Sequence, residues 1–254
     1  MNKKSIAQIK AEFEQAGSER RNELYERYGS DERAGVRKLI DGYKKKEEAL
    51  RAERDRLAAM QSYERKYSEY RFICGIDEAG RGPLAGPVVA GAVILPRDCV
   101  ILYLNDSKKL SPAKRETLYD EIMDKAEAVG VGMASPARID EINILQATYE
   151  AMREAVAALK AAPDLLLNDA VTIPGISTPQ VPIIKGDAKS VSIAAASIIA
   201  KVTRDRLMVQ YDEILPGYGF AQHKGYGSRE HIEAIRRLGP TPIHRQTFIK
   251  NFLS

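Results

Sequence analysis

The sequence predicts an α/β protein in which a mixed β-sheet is covered by helices and preceded by a separate helical segment. Two observations indicate this. All 12 prolines lie after residue 70, so the first 70 residues lack the strongest helix breaker. Beyond residue 70, short runs of β-branched and apolar residues first follow one another and later alternate with stretches of helical periodicity. That order of elements is typical of a mixed sheet.

Residues 1–70 predict three helices. Ser5 followed by Gln8 is a capping-box start, a short helix is expected over 19–28, and a Gly-Ser-Asp break then precedes a long helix over 36–60. The segment holds 17 Lys/Arg against 14 Asp/Glu, which is +3 of the formal +4 of the chain. Its charge indicates either a solvated helix face with i,i+4 pairs or an accessory arm that binds a duplex.

Residues 71–254 predict alternating elements, several with recognisable starts such as a proline at the first position of a helix. In chain order we expect strands over 72–76 and 88–95, a helix over 112–129, a weak strand over 129–135, a helix over 147–162, strands over 164–171 and 181–185, helices over 190–214 and 228–238, and a short closing helix.

The composition predicts a reduced, cytoplasmic protein. No apolar run approaches the roughly 18 residues of a membrane span, and the N-terminal sequence lacks the apolar stretch of a secretory signal. The two cysteines, Cys74 and Cys99, have no metal-site spacing and make no disulfide framework, so we expect two buried thiols. A net charge of +4 is compatible with nucleic-acid binding but does not indicate it.

Two adjacent acids stand at the end of the first predicted strand. Asp77 and Glu78 precede a glycine-rich turn, Gly80-Arg81-Gly82. Their mutual repulsion is unfavourable unless a cation relieves it. Mg²⁺ and Mn²⁺ prefer carboxylate ligands, so this pair predicts a divalent-cation site rather than two solvated turn residues.

Two further acids, Asp169 and Asp187, also follow predicted strands. Each taken alone is more often a turn or cap residue. Four acids that can converge on one sheet edge favour a metal centre instead. Two cations about 3.5–4 Å apart can activate water and stabilise the leaving oxygen in phosphodiester hydrolysis.

Five motifs, in this order, closely resemble those of type 2 ribonucleases H: DEAGRGP, DSKKL, LLLNDAV, KGDAKSVSIAAASIIAKVTRD and GYGFAQHKGYGS. The resemblance implies a ribonuclease H-like fold, a five-stranded mixed sheet flanked by helices, over 71–254, with an α-helical extension over 1–70. It implies Mn²⁺ or Mg²⁺ as cofactor, and four residues both catalytic and metal-binding: Asp77, Glu78, Asp169 and Asp187. Asn168 departs from the family pattern, which has an aliphatic residue there.

The resemblance also implies a substrate, an RNA–DNA hybrid or duplex DNA that contains ribonucleotides, cut on the 5′ side of a ribonucleotide to leave 3′-hydroxyl and 5′-phosphate ends. The Gly80-Arg81-Gly82 turn would contact the 2′-hydroxyl, which is how proteins distinguish RNA from DNA, and Tyr226 would pack on the next sugar. We expect a monomer that needs no protein partner. The expected phosphate contacts are Lys108, Lys109, Lys185, Ser190 and Lys224, with His223 nearby.

Two alternatives remain open from the residues themselves. Another nuclease of the same fold, such as a junction resolvase, would share the carboxylates but need no 2′-hydroxyl reader. A non-catalytic basic nucleic-acid-binding protein with a structural metal would bind hybrids without cutting them.

Overall fold

The computed structural model describes residues 4–252, in two compact units that divide between Arg56 and Leu57. Residues 1–3 and 253–254, the outer ends of the predicted segments 1–70 and 71–254, lie outside the described residues. The predicted boundary lies after residue 70, whereas the units divide before Leu57, so residues 57–70 fall in the second unit. Leu57 and Met60 are buried in an apolar cluster of the second unit, which explains the difference.

The first unit is helical. The helices α1, α2 and α3 span Ile6–Gln15, Ser18–Tyr28 and Ala34–Met60. The predicted capping box is confirmed, since the Ser5 hydroxyl accepts from the Gln8 backbone N–H and the Gln8 side chain accepts from the Ser5 N–H. Apolar side chains at helical spacing form its core: Ile9, Phe13, Leu24, Val36 and Ile40.

The second unit contains a sheet of five strands and the helices that cover it. Its strands are β1 Ile73–Ala79, β2 Val88–Ile94, β3 Ala128–Ala134, β4 Leu165–Asp169 and β5 Gln180–Ile183. Its helices are α4 Ser62–Lys66, α5 Pro112–Lys125, α6 Pro136–Ala157, α7 Val191–Ile214, α8 Phe220–His223, α9 Arg229–Leu238 and α10 Gln246–Ile249. Short 3₁₀ turns span Ser107–Lys109, Gly186–Ala188 and Lys250–Phe252.

The strand order is β3-β2-β1-β4-β5. β1 and β2, and β2 and β3, are antiparallel, whereas β1 and β4, and β4 and β5, are parallel. The predicted five-stranded mixed sheet is therefore confirmed. Ile76 of β1 pairs with Asn168 of β4, so the next residue of each strand, Asp77 and Asp169, lies at the same sheet edge.

Helices α6 and α7 cover opposite faces of the sheet. Every residue of β2 is buried, which accounts for its continuous apolar run. On one face, Cys74 and Ile76 pack in a cluster with α6. On the other, a Cβ at Gly75 would lie 2.0 Å from the Ser192 carbonyl carbon, so glycine is needed where α7 crosses β1. Alternate residues of β1, including Asp77, therefore face α7.

Two helix predictions differ from the structure in their limits. The helix predicted over 112–129 ends at Lys125. The helix predicted from residue 147 begins at Pro136, and Asn143, with φ of 69°, interrupts it. The Asn143 side chain accepts from two backbone N–H groups of the next turn and caps the second half. The apolar periodicity of the sequence therefore predicted only the part of α6 that follows Asn143. Within residues 4–252, no helix combines the length and apolarity that crossing a membrane requires.

Candidate active site

Three predicted acids meet at the end of the parallel strands. Asp77 follows the β1–β4 pairing, Asp169 ends β4, and Asp187 lies in the 3₁₀ turn after β5. One carboxylate oxygen from each lies within 4.8 Å of the others. The Gly186 N–H donates to Asp169 Oδ1 at 2.7 Å, which fixes the turn that carries Asp187 against β4.

Glu78 lies beside this group but not in it. Adjacent residues of a strand point to opposite faces, and the Glu78 side chain turns towards Arg81, whose Nη1 is 3.4 Å from Glu78 Oε1. Burial raises the pKa of Glu78, and Arg81 opposes that rise. Among the described residues, the close group of acids therefore comprises three aspartates, with the glutamate at its margin.

The aspartates stand in a strongly negative, poorly solvated place. Burial, and next the Glu78 carboxylate, raise the pKa of Asp77 well above its usual range. Burial and then the neighbouring Asp106 and Asp169 raise the pKa of Asp187. Clustered, partly desolvated carboxylates of this kind fit oxygen ligands for a divalent cation, which would offset their repulsion.

The two glycines of the turn after Glu78 differ in their surroundings. Contacts within the protein require a glycine at position 80 but not at position 82. Gly80 has φ of +94°, and a Cβ there would lie 2.1 Å from Arg204 Nε. A Cβ at Gly82 would meet no atom of the described residues within 4 Å, so open space lies beside this glycine. Arg81 and Gly82 are both exposed.

Tyr226 presents an exposed ring on a fixed backbone. Its ring centroid is 5.9 Å from Lys201 Nζ and 5.9 Å from the Arg204 guanidinium. The Tyr226 carbonyl lies 2.8 Å from His231 Nδ1. His223 lies beneath this loop, where its Nε2 meets the Tyr218 carbonyl at 2.7 Å and its Nδ1 accepts from the Gly225 N–H. Both ring nitrogens of His223 are thus occupied within the protein.

Comparison with known proteins agrees with this geometry. The family model of ribonuclease HII matches residues 74–251, and that of the ribonuclease HII N-terminal domain matches residues 5–68. The chain belongs to the ribonuclease HII family. It is therefore a type 2 ribonuclease H, an endoribonuclease, and the resemblance inferred from its motifs is confirmed.

Similar ribonucleases HII come from several bacteria and archaea. The chain is 65% identical to that of Lachnoclostridium phytofermentans over 98% of both chains. It is 52% identical to that of Clostridioides difficile over 100% of both. Among solved structures, ribonuclease H2 of Pyrococcus horikoshii OT3 matches with a TM-score of 0.58 and 29% identity, over 71% of this chain and 96% of that chain. A PCNA–RNase HII complex of Archaeoglobus fulgidus matches with a TM-score of 0.58 and 28% identity, over 72% and 97%.

The predicted phosphate contacts of this ribonuclease HII differ in exposure: three lysines are exposed, Lys224 is half-buried with its ammonium donating to the Ala221 carbonyl, and Ser190 is buried. Lys108, Lys109 and Lys185 are exposed near the carboxylates. The pKa of Lys108 is raised, because four nearby carboxylates, Asp77 first, outweigh the lowering effect of its burial. Ser190 is fully buried, and its hydroxyl donates to Glu64 Oε1 at 2.6 Å.

Glu64 is a residue that sequence reasoning missed. Its Oε1 also accepts from the Ser192 N–H at 3.1 Å, so a carboxylate already stands at the N-terminus of α7. Ser190 remains a predicted phosphate contact, and its hydroxyl would have to exchange Glu64 for a phosphate. A glutamate within a short charged helix carried no signal of this role, because its partner lies 126 residues away.

Three more residues near the site were missed. Asp106 begins the DSKKL motif and raises the pKa of the neighbouring Asp187. The sequence did contain a signal for Asp106, because it is a carboxylate at the start of a motif whose lysines were already predicted to contact phosphates. Arg204 and Arg245 are buried beneath the glycine-rich turn. Asn168, noted as a departure from the family, donates to Gln180 Oε1 at 2.8 Å on the face opposite Asp169.

Proposed function

We propose that this ribonuclease HII cuts duplex DNA on the 5′ side of an embedded ribonucleotide, and the RNA strand of hybrids, leaving 3′-hydroxyl and 5′-phosphate ends. The observation that carries the proposal is the continuity of β1 with the turn after it. The same strand end supplies Asp77 and Glu78 and then, within a few residues, Gly82 with open space beside it. A reader of the 2′-hydroxyl would thus lie next to the group that acts on the phosphate.

Asp77, Glu78, Asp169 and Asp187 would together hold the Mn²⁺ or Mg²⁺. When bound, two such cations supply Lewis-acid stabilisation of the attacking and leaving oxygens. The protein holds two of its aspartates by backbone contacts: the Glu78 N–H donates to Asp77 Oδ1 at 2.8 Å, and the Gly186 N–H donates to Asp169 Oδ1. One oxygen of Asp77 and one of Asp169 are therefore fixed before any ligand arrives.

The remaining predicted residues would orient the substrate. Exposed Arg81 and Gly82 would approach the sugar of the ribonucleotide, because a glycine lets backbone groups come close. The exposed ring of Tyr226 would pack on the next sugar. Lys108, Lys109, Lys185, Ser190 and Lys224 would contact phosphates, with His223 supporting the loop that carries Lys224 and Tyr226.

The test is cleavage-site mapping on a DNA–RNA–DNA duplex with one ribonucleotide, in Mg²⁺ and in Mn²⁺ separately. An all-DNA duplex and a four-way junction are the controls. We expect one cut, 5′ of the ribonucleotide, and none in either control. Junction cleavage without a cut at the ribonucleotide would identify a resolvase instead. Tight hybrid binding without any cleavage would identify a binding protein.

The same assay tests the prediction that no protein partner is needed. The A. fulgidus relative was solved as a complex with PCNA. Cleavage by the purified chain alone, at a rate that a sliding clamp does not raise, would support independence. A rate that requires the clamp would contradict it.

A further inference from the structure

Two arginine side chains, Arg204 of α7 and Arg245 just before α10, are fully buried beneath the glycine-rich turn, at 1% and 0% exposure. They are the largest fully buried side chains among the described residues. The ion pairs of the described residues include neither of them. Burial is the largest effect on both, and it lowers the pKa of Arg245 to about 9.

Within residues 4–252, both guanidinium groups donate only to backbone carbonyls. Arg245 donates to Gly80 at 2.5 Å, to Arg81 at 2.8 Å and twice to Gly86, at 3.0 and 2.9 Å. The residues bonded by Arg245 span the turn that we propose contacts the 2′-hydroxyl. Two of these four hydrogen bonds go to the turn and two to Gly86, so together they hold residues 80–86 in one shape.

Arg204 joins the segment that follows the turn to a second loop. Its three donor nitrogens bond the carbonyls of Ala85, Pro87 and Lys224, each at 2.9 Å. Lys224 precedes Gly225 and Tyr226, so one planar side chain spans the two loops on either side of the proposed substrate sugar. Its guanidinium also lies 5.9 Å from the Tyr226 ring centroid.

The backbones of the two loops are also in direct contact. The Leu84 N–H donates to the Gly225 carbonyl at 2.8 Å. A Cβ at Gly225 would lie 2.5 Å from the Ala85 carbonyl oxygen, so only glycine permits this approach. The distance between the turn and Tyr226 is therefore set by contacts within the protein and not by the substrate.

The choice of arginine indicates more than filling of space. Burying a charged group is costly, and apolar residues of similar volume usually fill a core at lower cost. What arginine supplies is a rigid fork of five donors. A lysine substitution retains the positive charge but not the planar set of donors, so it tests the hydrogen-bond geometry separately from the charge.

We propose that Arg204 and Arg245, together the arginine clamp, are positioning residues that set the spacing between the Gly80-Arg81-Gly82 turn and Tyr226. Through that spacing they restrict cleavage to the 5′ side of a ribonucleotide that is followed by a deoxynucleotide. The inference rests on the proposed function. Neither arginine touches the substrate; each acts through the loops that do.

The experiment uses Arg204→Lys and Arg245→Lys, with Arg206→Lys as matched control. Arg206 lies on the same helix, is exposed, and pairs with Glu116. Two duplexes are cut under single-turnover conditions: one with a single ribonucleotide and one with four consecutive ribonucleotides. Binding is measured in Ca²⁺, and the distribution of cuts along the four-ribonucleotide tract is mapped.

We expect the clamp variants to lose about 10²-fold in rate on the single ribonucleotide, because a small misplacement of the scissile phosphate costs about that much. On the tract we expect a smaller loss, with cuts spread over several positions, and Kd within about threefold of wild type. The Arg206→Lys control should match wild type. The spread of cuts is independent of the fraction of active protein, so partial unfolding does not mimic it.

Equal losses on both duplexes with an unchanged cut distribution would overturn the clamp. If a lysine variant does not fold, Gly225→Ala replaces it, since this change separates the loops while retaining both arginines. Gly225→Ala must then spread the cuts, and an unchanged distribution would overturn the proposal. Wild-type protein that fails to cut at the single ribonucleotide would refute the proposed function itself. If wild type cuts at the single ribonucleotide and the variants show the same rate and the same distribution of cuts, only the arginine clamp is refuted.

Discussion

At the residue scale, Asp77 is the site residue for which burial and carboxylate repulsion most disfavour the ionised form. Its pKa is raised by burial and then by Glu78, so the folded state retains its proton to higher pH than the unfolded chain does. A folded state that binds more protons loses stability as pH rises through that range. Ionisation of Asp77 in the metal-free protein is therefore unfavourable, and a bound cation would offset that cost.

Asp77→Asn should consequently raise Tm in EDTA at pH 7 while reducing cleavage at least about 10³-fold. Removing about 1 kcal/mol of repulsion corresponds to about 2–4 °C for a chain of this size. Mn²⁺ should stabilise wild type but not the variant. Asp41→Asn, at an exposed helical position, is the control. Glu78→Gln should also abolish cleavage with binding retained, and near-normal turnover in both site variants would refute their assignment.

Gly82 allows a sharper test than the other glycines of the site. Because no atom lies within 4 Å of a Cβ there, Gly82→Ala should fold normally. It should still lower single-ribonucleotide cleavage by about 10-fold or more, since the methyl group would fill the space in which we propose that the sugar lies. Gly42→Ala, also unobstructed but within α3, should stabilise the chain by about 1 kcal/mol and leave cleavage unchanged. Full activity of Gly82→Ala would remove this turn from the substrate site.

Tyr226→Ala should lower kcat strongly with little change in Kd, because several phosphate contacts dominate binding while the ring sets geometry. Tyr226→Phe should retain more activity, since it retains the ring. The loss should be larger on a single ribonucleotide than on a long hybrid. Single-turnover rates with binding in Ca²⁺ measure this. A loss confined to Kd, or equal on both substrates, would make Tyr226 a general contact.

At the element scale, a chain of neutral histidines links α9 to the Tyr226 loop. His244 Nδ1 accepts from the Thr241 N–H, which leaves the proton on Nε2, 3.0 Å from His231 Nε2. His231 must then carry its proton on Nδ1 and donate it to the Tyr226 carbonyl. Burial, the largest effect on each, lowers the pKa of both His231 and His244 to about 4.

The unfolded chain therefore binds more protons than the folded chain between pH about 6.5 and about 4. The stabilisation from these histidines is present above pH 6.5 and is lost as pH falls towards 4. The measurement is the difference in unfolding free energy between wild type and His231→Gln, taken from pH 7 to pH 4 with EDTA present. This difference should shrink as pH falls. A difference independent of pH would show that the histidines are not neutral in the folded state.

The elements that position the acids were predictable from local pattern, and those that fix the loops were not. Apolar runs ended by acids predicted where Asp77 and Asp169 leave the sheet, because strand ends of parallel neighbours share an edge. Arg204 stands in a helix in which the neighbouring Lys201, Asp205 and Arg206 form ion pairs, so its sequence context indicated a surface position. Its acceptors are carbonyls brought together by tertiary structure, and no local periodicity encodes them. The start of α6 at Pro136 was not predicted, although Ser135 is its N-cap, because Asn143 interrupts the apolar spacing of that helix.

At the scale of the whole molecule, the first unit contributes charge without contributing acids to the carboxylate group. Residues 1–56 hold 15 Lys/Arg against 12 Asp/Glu. Residues 57–70 belong with the second unit, where Leu57 and Met60 are buried and Glu64 bonds the start of α7. Truncation should therefore be made after Arg56 and not after residue 70.

Deleting residues 1–56 should raise KM, leave kcat near its full value and flatten the dependence of KM on salt, because phosphate contacts release counterions. Steady-state kinetics at several salt concentrations measure this. Deleting residues 1–70 is the informative comparison, and it should also lower Tm, since it exposes an apolar cluster and frees the α7 start. Unchanged KM with a much lower kcat in the shorter deletion would contradict a binding role.

The bonds of Arg245 have a consequence for how the protein is made. The hydrogen bond from Arg245 to the Gly80 carbonyl closes a loop of 165 residues. Loop-closure entropy must be overcome before such a contact forms, and the contact needs a residue that the ribosome adds long after the turn itself. The nascent protein can pair β1 with β2 early, yet its glycine-rich turn stays unbraced until Arg245 has been synthesised. A transcript that ends before codon 245 would therefore yield a protein with its sheet and acids in place but without a fixed turn.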